Sequence, residues 1–158
     1  MGLALAADFR VMSPSAYLMA NFTRLGISQG FALSSTLPRL VGAQRAAEIL
    51  YVGKPIHGPA AVEIGLCDRL AEPHLVGDVA YEIAKDIAMS SPSAVAAARR
   101  ILRRDLVAEI EQTLALEREE QMPLMASSDF AEGVRAWKEK REPSFRDTAM
   151  RDRTPGLA

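Results

Sequence analysis

Residues 16–42 read AYLMANFTRLGISQGFALSSTLPRLVG, and the order of apolar, polar and glycine positions in this stretch decides the fold class. Ala16 to Ala20 is apolar throughout, the pattern of a strand buried on both faces. Asn21 to Gly30 follows as a loop, with Gly26 and Gly30 spaced for tight backbone geometry. From Phe31 the pattern turns helical. A loop at which a strand hands over to a helix is where α/β domains host ligands, because the helix N-terminus supplies free backbone donors. A plain connecting loop has the same signature, and both readings stay open on the residues alone.

On the N-terminal side, Asp8 to Met12 alternates polar and apolar residues as a short strand does, and Ser13-Pro14-Ser15 reads as a turn. Met1 to Ala7 is apolar and carries no charged residue, which predicts a buried helix rather than a targeting segment. An apolar helix at a first residue is expected to belong to the middle of a domain. On the other side, Ala43 to Tyr51 places Ala46, Ala47, Ile49 and Leu50 along one side of a helix that Gly53 stops. Gly58-Pro59 opens a further helix ending at Gly65, and Leu66 to Leu70 reads as a strand holding Cys67.

Beyond that the pattern is helical. Val79, Ile83 and Ile87 form a stripe within Val76 to Met89, and Ser91-Pro92 caps the next helix. Val95, Ala98, Leu102, Leu106, Ile110 and Leu114 continue an apolar face through Gln121, with a break near Asp105 and an end or kink at Pro123. Asp129 and Glu132 are spaced as a capping box for a last helix to about Arg141. So few and such short strands do not make a stable sheet by themselves. Either a further segment completes the sheet, or the domain is less β than it reads.

Charge excludes several partners. Nineteen Lys and Arg against 20 Asp and Glu leave a formal charge of -1, so nucleic acid and an anionic membrane lack the basic surface they need. A membrane-spanning helix takes about 20 consecutive apolar residues, and the sequence has no such run. The one cysteine, Cys67, precludes an internal disulfide and fits a reducing, cytoplasmic setting, where a buried structural thiol is expected. His57 and His74 have no ligand at metal spacing. The basic pairs Arg99-Arg100 and Arg103-Arg104, and the acidic run Glu117, Glu119 and Glu120, read as solvated helix surface. Neither a phosphate-binding glycine fingerprint nor a serine nucleophile elbow occurs.

Four stretches together resemble the enoyl-CoA hydratase/isomerase (crotonase) superfamily over its C-terminal half. They are GLALAADFRV at 2–11, LGISQGFALSSTLPRLVG at 25–42, AAVEIGLCDRLAEP at 60–73 and DFAEGVRAWKEKREPSF at 129–145. The resemblance implies an α/β fold: a partial crotonase-like β-β-α spiral with few short strands at 1–90, followed by a C-terminal helical oligomerisation region at 91–145. Residues 146–158 are expected to be a disordered tail. It also implies an acyl-CoA thioester as substrate, no metal or redox cofactor, and a homo-trimer or hexamer.

Its acid and base positions fall on Gly2, Phe22 and Gly30, none of which transfers a proton. Its two oxyanion-hole N–H groups fall upstream of Gly2, so the resemblance implies a truncated member. Beside the acyl group it leaves Asn21, Ser28 and Gln29 as pocket candidates. Ser28 and Gln29 can orient a water or the acyl group, but neither is a good general base unaided. Trp137 and Lys140 match positions that close the CoA site, an aromatic ring for adenine or pantetheine and an ammonium for a phosphate. An ordinary amphipathic helix has the same pattern. The rival functional reading is a non-catalytic assembly module that retains the trimerising helices, and a third is a free-standing helical interaction protein.

Overall fold

The computed structural model describes residues 1–145; the tail expected at 146–158 lies outside the described residues. The fold is α/β, with few short strands and a largely helical remainder. The elements are α1 (Gly2–Leu5), β1 (Val11–Met12), β2 (Tyr17–Leu18), α2 (Leu33–Val41), α3 (Ala43–Val52), β3 (Ile56–His57), α4 (Gly58–Glu63), β4 (Arg69–Leu70), α5 (Val76–Ala88), α6 (Pro92–Leu102), α7 (Leu106–Met125) and α8 (Ser128–Glu139). Short 3-10 turns occupy Thr23–Leu25 and Pro73–Leu75.

β1 lies parallel to β4, with Val11 opposite Arg69, while β2 runs antiparallel to β3, with Tyr17 opposite His57. The strand expected at 16–20 is therefore shorter and only half covered. Tyr17 is 55% exposed and meets His57 edge-on at 5.8 Å, because among the described residues β2 has a hydrogen-bonded neighbour on one side alone. The N-terminal helix is likewise a single turn: Leu5 enters the core and Leu3 faces out.

The core is built from the first half of the chain. Leu33 and Leu37 of α2, Leu50 of α3 and Leu66 pack together with Leu5 and Ala20. Arg10 crosses its edge as a buried cation. Its Nε donates to the Leu66 carbonyl at 2.9 Å, and its guanidinium pairs with Asp68 at 3.3 Å, which ties β1 to the approach to β4. The Cys67 thiol is buried and donates to the Arg10 carbonyl at 3.2 Å.

The second half departs from its expected faces. Arg99 of α6 and Arg103, its C-cap, are not merely solvated; both pair with Asp8, at 2.9 and 2.6 Å. On α7 the inward stripe is polar, with Thr113, Glu117 and Gln121 at four-residue spacing. Thr113 meets the Ser35 hydroxyl, Glu117 accepts from Ala32 and Ser34, and Gln121 donates to the Ser28 carbonyl at 2.6 Å. Leu102 and Leu114, expected on the core face, are exposed instead, and Glu117, expected at the surface, is 5% exposed. The cause is the start of α2, whose first N–H groups have no partner within their own helix. An acceptor must reach them, and α7 supplies it. Pro123 stands inside α7, which ends within a turn of it.

Candidate functional site

A cleft of about 570 Å³ opens between the segment 19–24 and the end of α8. Gly133 makes this junction. A Cβ there would stand 2.5 Å from the Leu25 carbonyl carbon and oxygen, so the backbones of α8 and the 3-10 turn touch. Gly26 makes the reciprocal approach at φ +77°, against the Asp129 backbone. The turn carries Asn21 and Arg24 to one wall, and α8 brings Trp137, Lys140 and Arg141 to the other, with Glu142 following.

Helix α8 begins two residues before the expected capping box. Ser127 is its cap and accepts from the Phe130 N–H at 3.2 Å. That frees Glu132 for a different task. Its carboxylate, 3% exposed, accepts from Arg141 at 2.6 and 3.1 Å and from the Ser144 N–H at 3.0 Å, and it also pairs with Arg135. Glu132 anchors the segment that leaves α8. The Arg141 bonds first, then Ser144 and Arg135, hold the Glu132 carboxyl well below its ordinary 4.5, and Glu132 with Glu139 holds the Arg141 guanidinium above its usual range.

A carboxyl whose folded pKa is depressed binds its proton more readily when unfolded, so its stabilisation is complete above 4.5 and is lost as pH falls below it. Urea midpoints taken at roughly pH 5 and pH 3 should therefore fall more steeply for the wild-type chain than for Glu132→Gln. Equal slopes would show that Glu132 is not a controlling acid-sensitive group.

The cations of the cleft are unequally available. Arg141 is committed to Glu132 and Glu139, and Arg24 pairs with Glu142. Lys140 has no ion-pair partner among the described residues, and it holds the left-handed cap of α8 at φ 54°, ψ 39°. Left-handed backbone costs a non-glycine residue about 1–2 kcal/mol, which makes a lysine there a pointer to use rather than stability.

The sequence candidates divide between two cavities. Asn21, Trp137 and Lys140 share the cleft. Ser28 and Gln29 line a separate cavity of about 400 Å³ with Tyr51, Leu124 and Phe145. There the Ser28 hydroxyl is buried with no hydrogen-bond partner among the described residues, and the Gln29 amide donates to Ser34 Oγ at 2.8 Å. The segment between them, a 3-10 turn closed by Gly26, reverses the chain. A Cβ at Gly2 would stand 2.3 Å from the Phe31 Cβ, so a side chain there would require Phe31 to shift.

Sequence reading missed Arg24, Glu117, Glu132, Gly133 and Glu142. Two of them had a signal. A glycine inside a helix costs about 1 kcal/mol, so Gly133 marks a close approach, and Glu117 stands midway between Thr113 and Gln121 at helical spacing. Among the described residues no group of His, Cys, Asp or Glu is placed to hold a metal ion, and no helix is long and apolar enough to cross a membrane.

Comparison with known proteins identifies the family. The family model described as enoyl-CoA hydratase/isomerase matches residues 1–148. The enoyl-CoA isomerase/hydratase fer4 of Mycosarcoma maydis is 32% identical over 144 residues, covering 90% of this chain and 53% of its own length. The human mitochondrial methylglutaconyl-CoA hydratase is 31% identical over 148 residues, covering 91% of this chain and 44% of its own. The crystal structure of an enoyl-CoA hydratase/isomerase from Pseudoalteromonas atlantica T6c superposes with a TM-score of 0.82 at 29% identity, over 91% of this chain and 58% of that one. The chain thus spans about half the length of the curated relatives it matches.

Proposed function

The chain belongs to the enoyl-CoA hydratase/isomerase family, and from that premise we propose that the cleft between segment 19–24 and α8 holds the CoA portion of an acyl-CoA thioester. The observation that carries this reading is Lys140, an ammonium with no ion-pair partner among the described residues, in a strained cap one turn from the exposed Trp137. Trp137 offers a face to adenine or pantetheine, and Lys140 offers its charge to a phosphate. The reading uses the thioester as substrate and needs neither a metal nor a redox group. Asn21 in the cleft, and Ser28 and Gln29 in the neighbouring cavity, are polar groups that can orient an acyl group or a water. Carboxylate proton transfer from positions 2, 22 and 30 forms no part of it, because Gly2, Phe22 and Gly30 stand there. A cytoplasmic setting belongs to the same proposal.

Lys140→Gly separates the two roles of this residue. Glycine accepts the left-handed cap, so the variant gains about 1 kcal/mol, or roughly 2–4 °C in Tm. The same change weakens coenzyme A binding about threefold to fivefold at low salt, the worth of one exposed charge contact. Few contacts of this kind put the acetyl-CoA Kd of the 158-residue chain on the order of millimolar. A variant with raised Tm and unchanged affinity for coenzyme A would remove Lys140 from the binding site.

A second reading, a non-catalytic assembly module whose copies associate as trimers or hexamers, is favoured by α5–α7. Met89, Ile101 and Leu102 are each at least 75% exposed there, and apolar surface of that extent drives association. The two readings part at Lys140, whose charge the module does not use.

A further inference from the structure

We infer that Glu142 is a built-in competitor for the ligand's anionic group: it occupies Arg24 at the cleft, and a phosphate must displace it to bind. This rests on the reading of the cleft as a CoA site. Three cations line that cleft, but they are not equivalent. Arg141 is turned to the buried Glu132 and cannot serve a ligand without breaking that network. Lys140 is open. Arg24 is the third, and its seat is already taken by a carboxylate.

The two partners of that pair are held very differently. The Arg24 stem lies against Gly53, where a Cβ would meet its Cγ at 3.1 Å and its Cδ at 3.2 Å, and its side chain is only 34% exposed. Glu142 has a side chain 82% exposed, beyond the end of α8, and it is free to swing into water. The arginine therefore stays and the glutamate leaves. An exposed carboxylate pair is weak, whereas a phosphate presents more charge and a matching fork to a guanidinium. A ligand carboxylate would exchange like for like and gain little; a phosphate gains by the exchange and reaches Lys140 as well. Glu142 thus makes the cleft select phosphate-bearing ligands over carboxylate-bearing ones.

Trp137 is the only tryptophan of the chain and lines the cleft, so its fluorescence reports occupancy, with calorimetry as an independent reading of the same titration. Coenzyme A is titrated at low salt into the wild-type chain, Glu142→Gln and the double variant Glu142→Gln, Arg24→Gln. Glu142→Gln should bind about threefold to fivefold more tightly than wild type, the size of one released ion pair, and the added Arg24→Gln should reverse the gain. If the wild-type chain binds coenzyme A and Glu142→Gln binds no more tightly, Glu142 is not a competitor, while the cleft reading stands. If no variant binds coenzyme A by either method, the cleft reading falls and this inference falls with it.

Discussion

Glu117→Ala is expected to lower the unfolding free energy by about 3–4 kcal/mol, through buried donors left without an acceptor. In wild type the carboxylate accepts from the Ala32 N–H at 2.8 Å, the Ser34 N–H at 2.9 Å and the Ser34 hydroxyl at 2.8 Å. These are the orphan donors at the start of α2, and no side chain of that helix caps them. The same carboxylate holds a strained backbone. Phe31 and Ala32 have φ of 61° and 55°, and left-handed backbone costs such residues about 1–2 kcal/mol each. Without Glu117 the segment 30–34 relaxes, and the Ser28–Gln29 cavity beside it loosens. Glu117→Gln keeps one oxygen acceptor and should lose about half as much. Urea melts measure both losses, and hydrogen exchange at the Ala32 and Ser34 amides locates them. For a domain whose whole stability is about 5–15 kcal/mol, the alanine variant is the more damaging change. A loss below about 1 kcal/mol would mean that water or another group replaces the carboxylate.

Gly133→Ala should produce the second largest effect, against the direction that helix propensity dictates. Alanine in a helix interior is favoured over glycine by about 1 kcal/mol. Here the added methyl would lie 2.5 Å from the Leu25 carbonyl carbon and oxygen and 2.6 Å from its Cα. Backbone atoms cannot rotate out of the way as a side chain does. Helix α8 must therefore retreat by about 1 Å to restore ordinary contact distances. Overpacking of this kind costs about 1–3 kcal/mol, and with rigid backbone on the far side the upper end applies. Overlap outweighs propensity, for a net loss of about 2 kcal/mol. Trp137 and Lys140 ride on the same helix, so the retreat widens the cleft and should weaken coenzyme A binding about tenfold. Gly26→Ala, at φ +77° against the Asp129 backbone, should act in the same direction from the other side of the junction. A Gly133→Ala chain more stable than wild type, with unchanged affinity, would show that α8 does not rest on the turn.

The features legible along the chain are local or cumulative. Gly26, Gly53 and Gly65 all take positive φ where the chain was read to turn or a helix to stop, because a missing Cβ is a property of one residue and its immediate neighbours. Gly58-Pro59 and Ser91-Pro92 open helices for the same reason: proline at the first helical position loses no bond that the helix would have made. The family was legible because four separate stretches agreed in order, which no single stretch decides.

The tertiary structure decided which faces meet. Its helical spacing from Thr113 and Gln121 sets Glu117 apart from Glu119 and Glu120, but that spacing does not say what the stripe meets; Glu117 is buried because the donors it satisfies lie 85 and 83 positions away. The partner of β1 is another strand some 58 positions on, and its parallel register follows from the packing between them rather than from either dipeptide. Ser28 and Gln29 part from Asn21, though fewer than ten residues separate them, because the 3-10 turn and Gly26 reverse the chain between them. Trp137 and Lys140 were readable as one side of a helix. That Arg24 faces them and Glu142 holds it was not, since an ion pair across 118 positions is created by the approach of Gly133 to Leu25 and by no pattern along the chain.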